Sequence, residues 1–166
     1  MKFNLKKGKW ITILDIILII VIFFFAKSYL QRYNKNSTSI TVDKLKYSLV
    51  INSEKIKANE LLNIRLKVEN RSRDKKTLEF RNAVPFNYII EKDGKFIYKR
   101  DILDSVSKKT KKIYLNRYGK TEFGTEWYGT DFENKEVLPG EYRLTVYNKD
   151  LNVELKLNFE IIQEEK

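Results

Sequence analysis

From residue 45 onward, apolar and polar residues alternate with a period of two rather than the 3.6 of a helix. In "LLNIRLKVEN", Leu62, Ile64, Leu66 and Val68 alternate with Asn63, Arg65, Lys67 and Glu69, which predicts a strand with one dry and one wet face. "FNYIIEKDGKFIY" holds two such runs around Asp93-Gly94, a dipeptide suited to the positive φ angles of a tight hairpin turn. Tyr142, Leu144 and Val146 alternate directly after Pro139-Gly140. There the proline fixes φ and the glycine permits a sharp reversal, so the pair predicts the corner that starts a strand. A phosphate-cradling loop would need more glycines and a following helix. Leu151, Val153, Leu155, Leu157, Phe159 and Ile161 form the longest alternating run, and shorter ones at residues 47–51, 77–80, 112–115 and 121–127 predict further strands. With turn signals about every ten residues, the pattern predicts an all-β fold, an antiparallel sandwich.

One segment departs from this pattern. "WITILDIILIIVIFFFA", residues 10–26, has thirteen Ile, Leu, Val or Phe residues and no polar face. Asp15, in its first third, costs at most about 3 kcal/mol in a bilayer, which the apolar residues outweigh. The segment predicts a transmembrane helix or signal anchor at the short end of what spans a membrane. Lys2, Lys6, Lys7 and Lys9 in the basic flank of residues 1–9 favour an inside N-terminus, and so a soluble domain on the outer face. The alternative is a signal peptide cleaved after Ser28, leaving a secreted domain; against it, the apolar core is longer than such peptides carry. Residues 27–44 are polar and lack periodicity, which predicts a tether. The sandwich then occupies residues 45–162 and a short tail residues 163–166.

The formal charge of +11 is uneven. Residues 1–36 carry seven basic side chains and one acidic; the other 130 residues carry 26 and 21. The soluble part is therefore only mildly basic, which argues against nucleic acid as a partner. With neither His nor Cys, thiolate nucleophiles, disulfides, histidine acid–base catalysis and most zinc sites are excluded. The acidic residues are scattered without metal-loop spacing, so no catalytic residue, cofactor or metal is expected. Asn36 and Asn70 each begin an N-glycosylation triplet, read as chance in a chain of this composition. Two exposed stretches remain as candidate partner-binding loops: the hairpin tip of Lys92, Asp93, Gly94 and Lys95, and the basic run of Lys108, Lys109, Lys111 and Lys112. The second run could touch an anionic surface, or it could be a solvated loop leading into an edge strand blunted by lysines.

The order of these signals is itself informative. "NRS" (70–72), "LEF" (78–80), "PFNYII" (85–90), "EKDGKFIYKR" (91–100), "YLNRYGKTEFGTEW" (114–127) and "LPGEYRLTV" (138–146) follow one another. The series resembles the BsuPI-type intracellular proteinase inhibitor domain over about residues 60 to 147. That resemblance implies an immunoglobulin-like β-sandwich that catalyses nothing and occupies a protein partner, a serine protease. This chain departs from the family pattern at three places. Phe86-Asn87-Tyr88 stands where members often show aromatic-Asp-aromatic. "IYKRD" (97–101) stands where they often show Val-Trp-Arg-Trp-Ser, and Tyr118-Gly119-Lys120 where the first Pro-Gly-Glu turn falls. The resulting expectation is a membrane-anchored protein-binding module, with a structural subunit of an envelope assembly as the alternative.

Overall fold

The computed structural model describes residues 15–26, 36–80, 84–100 and 110–163. The chain divides into two units, Met1–Lys35 and Asn36–Lys166. In the first, residues 15–26 form a helix whose large apolar side chains are exposed on every face. Twelve residues span about 18 Å, and among the described residues no helix is long and apolar enough to cross a membrane. Residues 10–14, where the expected span begins, lie outside the described residues.

The described residues of the second unit form eleven strands: β1 (Ser37–Val42), β2 (Leu45–Ile51), β3 (Lys55–Lys57), β4 (Leu62–Asn70), β5 (Lys76–Phe80), β6 (Asn87–Lys92), β7 (Lys95–Arg100), β8 (Lys111–Leu115), β9 (Lys120–Trp127), β10 (Gly140–Asn148) and β11 (Val153–Ile162). They form a four-stranded sheet ordered β1-β2-β4-β9, a five-stranded sheet ordered β3-β11-β10-β6-β7, and the separate pair β5-β8. No sheet closes on itself, and the architecture is a β-sandwich. The alternation read from sequence sets which face is dry. Leu62, Ile64, Leu66 and Val68 of β4 are buried, as are Tyr142, Leu144 and Val146 of β10 and every second residue of β11 from Val153 to Ile161. These inward faces supply most of one core, at roughly 1.5–3 kcal/mol per large apolar side chain removed from water. Trp127 of β9 joins the two large sheets, its ring packing edge-on to Phe159 at 5.9 Å and tilted against Tyr142 at 6.4 Å.

Two expectations need correction. Residues 37–42, assigned to the tether, form β1 and pair with β2 along their whole length. Ser39 to Val42 alternate over only four residues, and Ile40 of this edge strand is exposed, so the short run does not mark a buried face. The sandwich is also not wholly antiparallel, because the short β3 pairs with β11 in parallel.

At one end of the sandwich the chain is pinned by Asn70. Its side-chain amide donates to the carbonyls of Asp74 (2.7 Å), Asn116 (3.0 Å) and Leu115 (3.3 Å). Its oxygen accepts from the Ser72 amide (2.9 Å) and hydroxyl (2.7 Å). Asn70 and Ser72 are buried. The glycosylation triplet at 70–72 is therefore a structural corner, with its amide nitrogen already engaged.

Candidate functional site

The opposite end is organised by the β6–β7 hairpin and the loop of residues 128–139. Asp93 (φ 51°) and Gly94 (φ 75°) both adopt positive φ, as a primed two-residue turn requires. Lys92 and Lys95 face one another across it. Lys92 turns inward: its ammonium donates to the carbonyls of Pro139 (2.7 Å) and Leu138 (3.3 Å) and lies 5.1 Å from the centre of the Tyr142 ring. Gly140 (φ 141°) leaves room for this contact, since a Cβ there would sit 2.9 Å from the Lys92 nitrogen. The Pro139-Gly140 corner does start a strand, as its sequence predicts, and its carbonyls are also clamped.

The loop itself is firmly held. The Trp127 indole N–H donates to the Thr130 carbonyl (2.8 Å), and Asp131 accepts from the amides of Glu133 (2.8 Å) and Lys135 (2.9 Å). The Val137 amide donates to the Gly129 carbonyl (3.0 Å), and the Val137 side chain is buried. The Tyr142 hydroxyl adds a 2.5 Å bond to the Leu138 carbonyl. Despite these ties, the side chains of Tyr128, Phe132 and Leu138 stand out into solvent, as does Phe96 just past the hairpin turn. Their exposures run from 59 % at Phe132 to 75 % at Leu138. These are large apolar side chains exposed beside hydrogen-bonded backbone.

Beside the loop lies a cleft of about 560 Å³ between β6–β7 and β9. Tyr88, Tyr98 and Phe132 form a ladder there: Tyr88 stacks on Tyr98 at 5.9 Å, and Tyr98 on Phe132 at 6.0 Å. The Tyr88 hydroxyl donates to the Glu126 carbonyl (3.2 Å), and Arg100 donates to the Thr125 hydroxyl, tying β7 to β9. Burial pushes the Tyr88 hydroxyl above its ordinary range; Tyr98 adds to the shift and the Arg100 charge opposes it. This phenol stays protonated at neutral pH, so it donates hydrogen bonds and does not act as a base. Among the described residues no group of three or more His, Cys, Asp or Glu is gathered to hold a metal.

The predicted partner-binding residues fall into two places. Lys92, Asp93, Gly94 and Lys95 form the hairpin tip, in the five-stranded sheet. Lys111 and Lys112 begin β8 in the two-stranded sheet, where Lys112 pairs with Glu79 across the strands at 3.3 Å. An exposed pair of this kind contributes at most about 1 kcal/mol. Lys108 and Lys109 lie outside the described residues. Sequence reasoning missed Phe96, Tyr128, Phe132 and Leu138. The available signal was the stretch "YGTDFENKEVLPG" (128–140), where large apolar residues appear with neither period.

Comparison with known proteins adds one strong match. The family model for BsuPI, intracellular proteinase inhibitor, matches residues 49–153, which include the hairpin, the 128–139 loop and the cleft. No curated protein sequence matches the chain. Several solved structures are similar in backbone trace, three of which follow. An alkylpurine DNA glycosylase from Pseudomonas fluorescens, bound to abasic-site DNA, has 14 % identity and a TM-score of 0.41 over 76 % of this chain and 30 % of its own. A β-glucosidase from Listeria innocua has 14 % identity and a TM-score of 0.39 over 71 % of this chain and 16 % of its own. The CARDB domain of a Pyrococcus furiosus protein, with two metal ions, has 15 % identity and a TM-score of 0.37 over 76 % of this chain and 95 % of its own. The chain thus spans under a third of the two enzymes. Scores this low carry no argument about activity or partners.

Proposed function

The chain belongs to the BsuPI family of intracellular proteinase inhibitors, and from that premise we propose that it is a non-enzymatic binding module whose immunoglobulin-like sandwich occupies a serine protease. The observation that carries this reading is the family match over residues 49–153, which takes in Phe96, Tyr128, Phe132 and Leu138 and the loop and hairpin that hold them. A partner seated there would bury Phe96, Tyr128, Phe132 and Leu138, the kind of aromatic and aliphatic anchors that dominate interface energetics. The ladder of Tyr88, Tyr98 and Phe132 keeps that surface rigid, so little entropy is lost on association.

The same reading places the module at a membrane, held by its N-terminal apolar segment with the sandwich outside. Supporting it are the unbroken apolar run of residues 16–25, the exposure of these side chains around the whole helix, and the lysines that precede it. The test uses the full chain, purified in a mild non-ionic detergent and titrated into a subtilisin-type serine protease. Stoichiometric loss of protease activity, with the added chain uncut, is the expected result; undiminished activity with degradation of the chain would sink the inhibitor reading. Protease added to intact cells should remove the sandwich; its full protection, while a known outer-face protein is cut, would refute the outer location.

A further inference from the structure

We propose that Leu138 is the residue that enters the protease's specificity pocket, and that this pocket is therefore apolar. This rests on the inhibitor reading above and narrows it to one side chain and to enzymes with an apolar pocket.

Leu138 is three-quarters exposed, the most exposed large apolar side chain among the described residues of the sandwich, level with Phe25 of the helix. Single exposed leucines are common and by themselves say little. What distinguishes this one is the treatment of its backbone. Its carbonyl accepts from both the Tyr142 hydroxyl and the Lys92 ammonium, and the next carbonyl, of Pro139, accepts from Lys92 again. On the other side, Val137 is buried and its amide is bonded to Gly129. An apolar side chain is thus presented outward between two anchored neighbours, already ordered before it meets a pocket.

The same geometry accounts for resistance to cutting. Hydrolysis after Leu138 would require its carbonyl oxygen to enter the protease's oxyanion hole, where donors stabilise the developing charge. In this chain that oxygen is turned inward and taken by two donors of its own. The bond in question also leads to Pro139, whose ring fixes φ and leaves no N–H for the protease to bind. The side chain can enter the pocket while the peptide bond is withheld. The nature of the side chain sets the enzyme: a carboxylate at the pocket floor selects Lys or Arg, and an apolar slot accepts Leu.

The experiment compares the full chain with Leu138→Lys and Leu138→Asp, each in detergent, against a subtilisin-type and a trypsin-type protease. The wild-type chain should inhibit the first and spare the second. Leu138→Lys should lose about tenfold or more against the first and gain inhibition of the second, a gain that only a folded loop can deliver. Leu138→Asp should inhibit neither while unfolding at the wild-type temperature, because the side chain is in solvent. If both variants inhibit the subtilisin-type enzyme as well as the wild type does, Leu138 is not the anchor and the inhibitor reading survives without it. If the wild-type chain inhibits neither enzyme, the inhibitor reading fails and this inference falls with it.

Discussion

The two ends of the sandwich solve the same problem in opposite ways. Each must tie loops to strands through a polar side chain that reaches backbone carbonyls, and each has a tyrosine beside a turn aspartate at positive φ. At the first end the tie is Asn70, buried, with every polar atom of its amide engaged. At the second it is Lys92, a flexible cation at the surface, holding the carbonyls of Leu138 and Pro139. The first arrangement spends its hydrogen bonds on closing the corner around buried Asn70 and Ser72, with Tyr114 and Tyr118 exposed on the strand and turn it holds. The second fixes a loop while leaving its large apolar side chains in water. A buried amide pin keeps its corner folded; under the proposed function, the surface clamp beneath exposed Leu138 holds that side chain ready for a protein partner.

The largest expected effect breaks the second end from beneath. Trp127→Ala removes a buried ring that touches Phe159 and Tyr142 and the N–H that holds Thr130. It should cost about 3–5 kcal/mol in chemical denaturation, a large part of a typical ~5–15 kcal/mol. A loss below about 1 kcal/mol would contradict the core assigned here. At the first end, Asn70→Ala removes one donor from three carbonyls, of which Asp74 keeps the Ser72 hydroxyl and Asn116 the Gly119 amide, and should cost about 1–3 kcal/mol. It should leave protease inhibition per folded molecule unchanged; a selective loss of inhibition would erase the distinction between the ends.

A pH titration sharpens the comparison next. Burial first, then the Asp43 charge, pushes the Tyr47 hydroxyl up to about 12, and burial followed by Asp93 raises Tyr142 in the same way at the other end. Because the folded pKa lies above the unfolded one, near 10, the contribution is intact below about pH 10 and is lost as pH rises through the folded value. Stability should therefore stay level in this respect up to about pH 10 and fall as pH rises from there through about 12. Tyr47→Phe should delay alkaline unfolding; an identical alkaline midpoint would refute the shift. The smallest effect on stability belongs to Lys92→Met, expected at about 1 kcal/mol or less because the clamp is at the surface. Its effect on inhibition should be the larger one, since the loop loses its order before binding. Equal inhibition by this variant would show that the clamp is dispensable.

How legible all this was depends on what each residue answers to. The strands of the core answer to their own alternation: Leu62 to Val68 and Val153 to Ile161 are buried in the very phase in which they are written. β1 and β3 were not readable, one because it is an exposed edge and the other because three residues carry no period. The hairpin turn was readable from Asp93-Gly94 alone, since its φ angles follow from the residue types. The candidate site was not, because it depends on bonds between residues far apart in sequence. Lys92 reaches carbonyls 46 and 47 positions away, and nothing local to "EVLPG" marks Leu138 as exposed on a fixed backbone. The hairpin tip is a candidate for its exposure, whereas its Lys92 reaches back to the Pro139 and Leu138 carbonyls.

The account stands or falls on which end meets the protease, and hydrogen–deuterium exchange of the full chain with and without a subtilisin-type enzyme reads this directly. Binding should slow exchange in the amides of residues 92–96 and 128–140 and leave those of residues 70–76 and 116–119 unchanged. Protection concentrated at the Asn70 end, or none at either end in a mixture where the protease is inhibited, would contradict it.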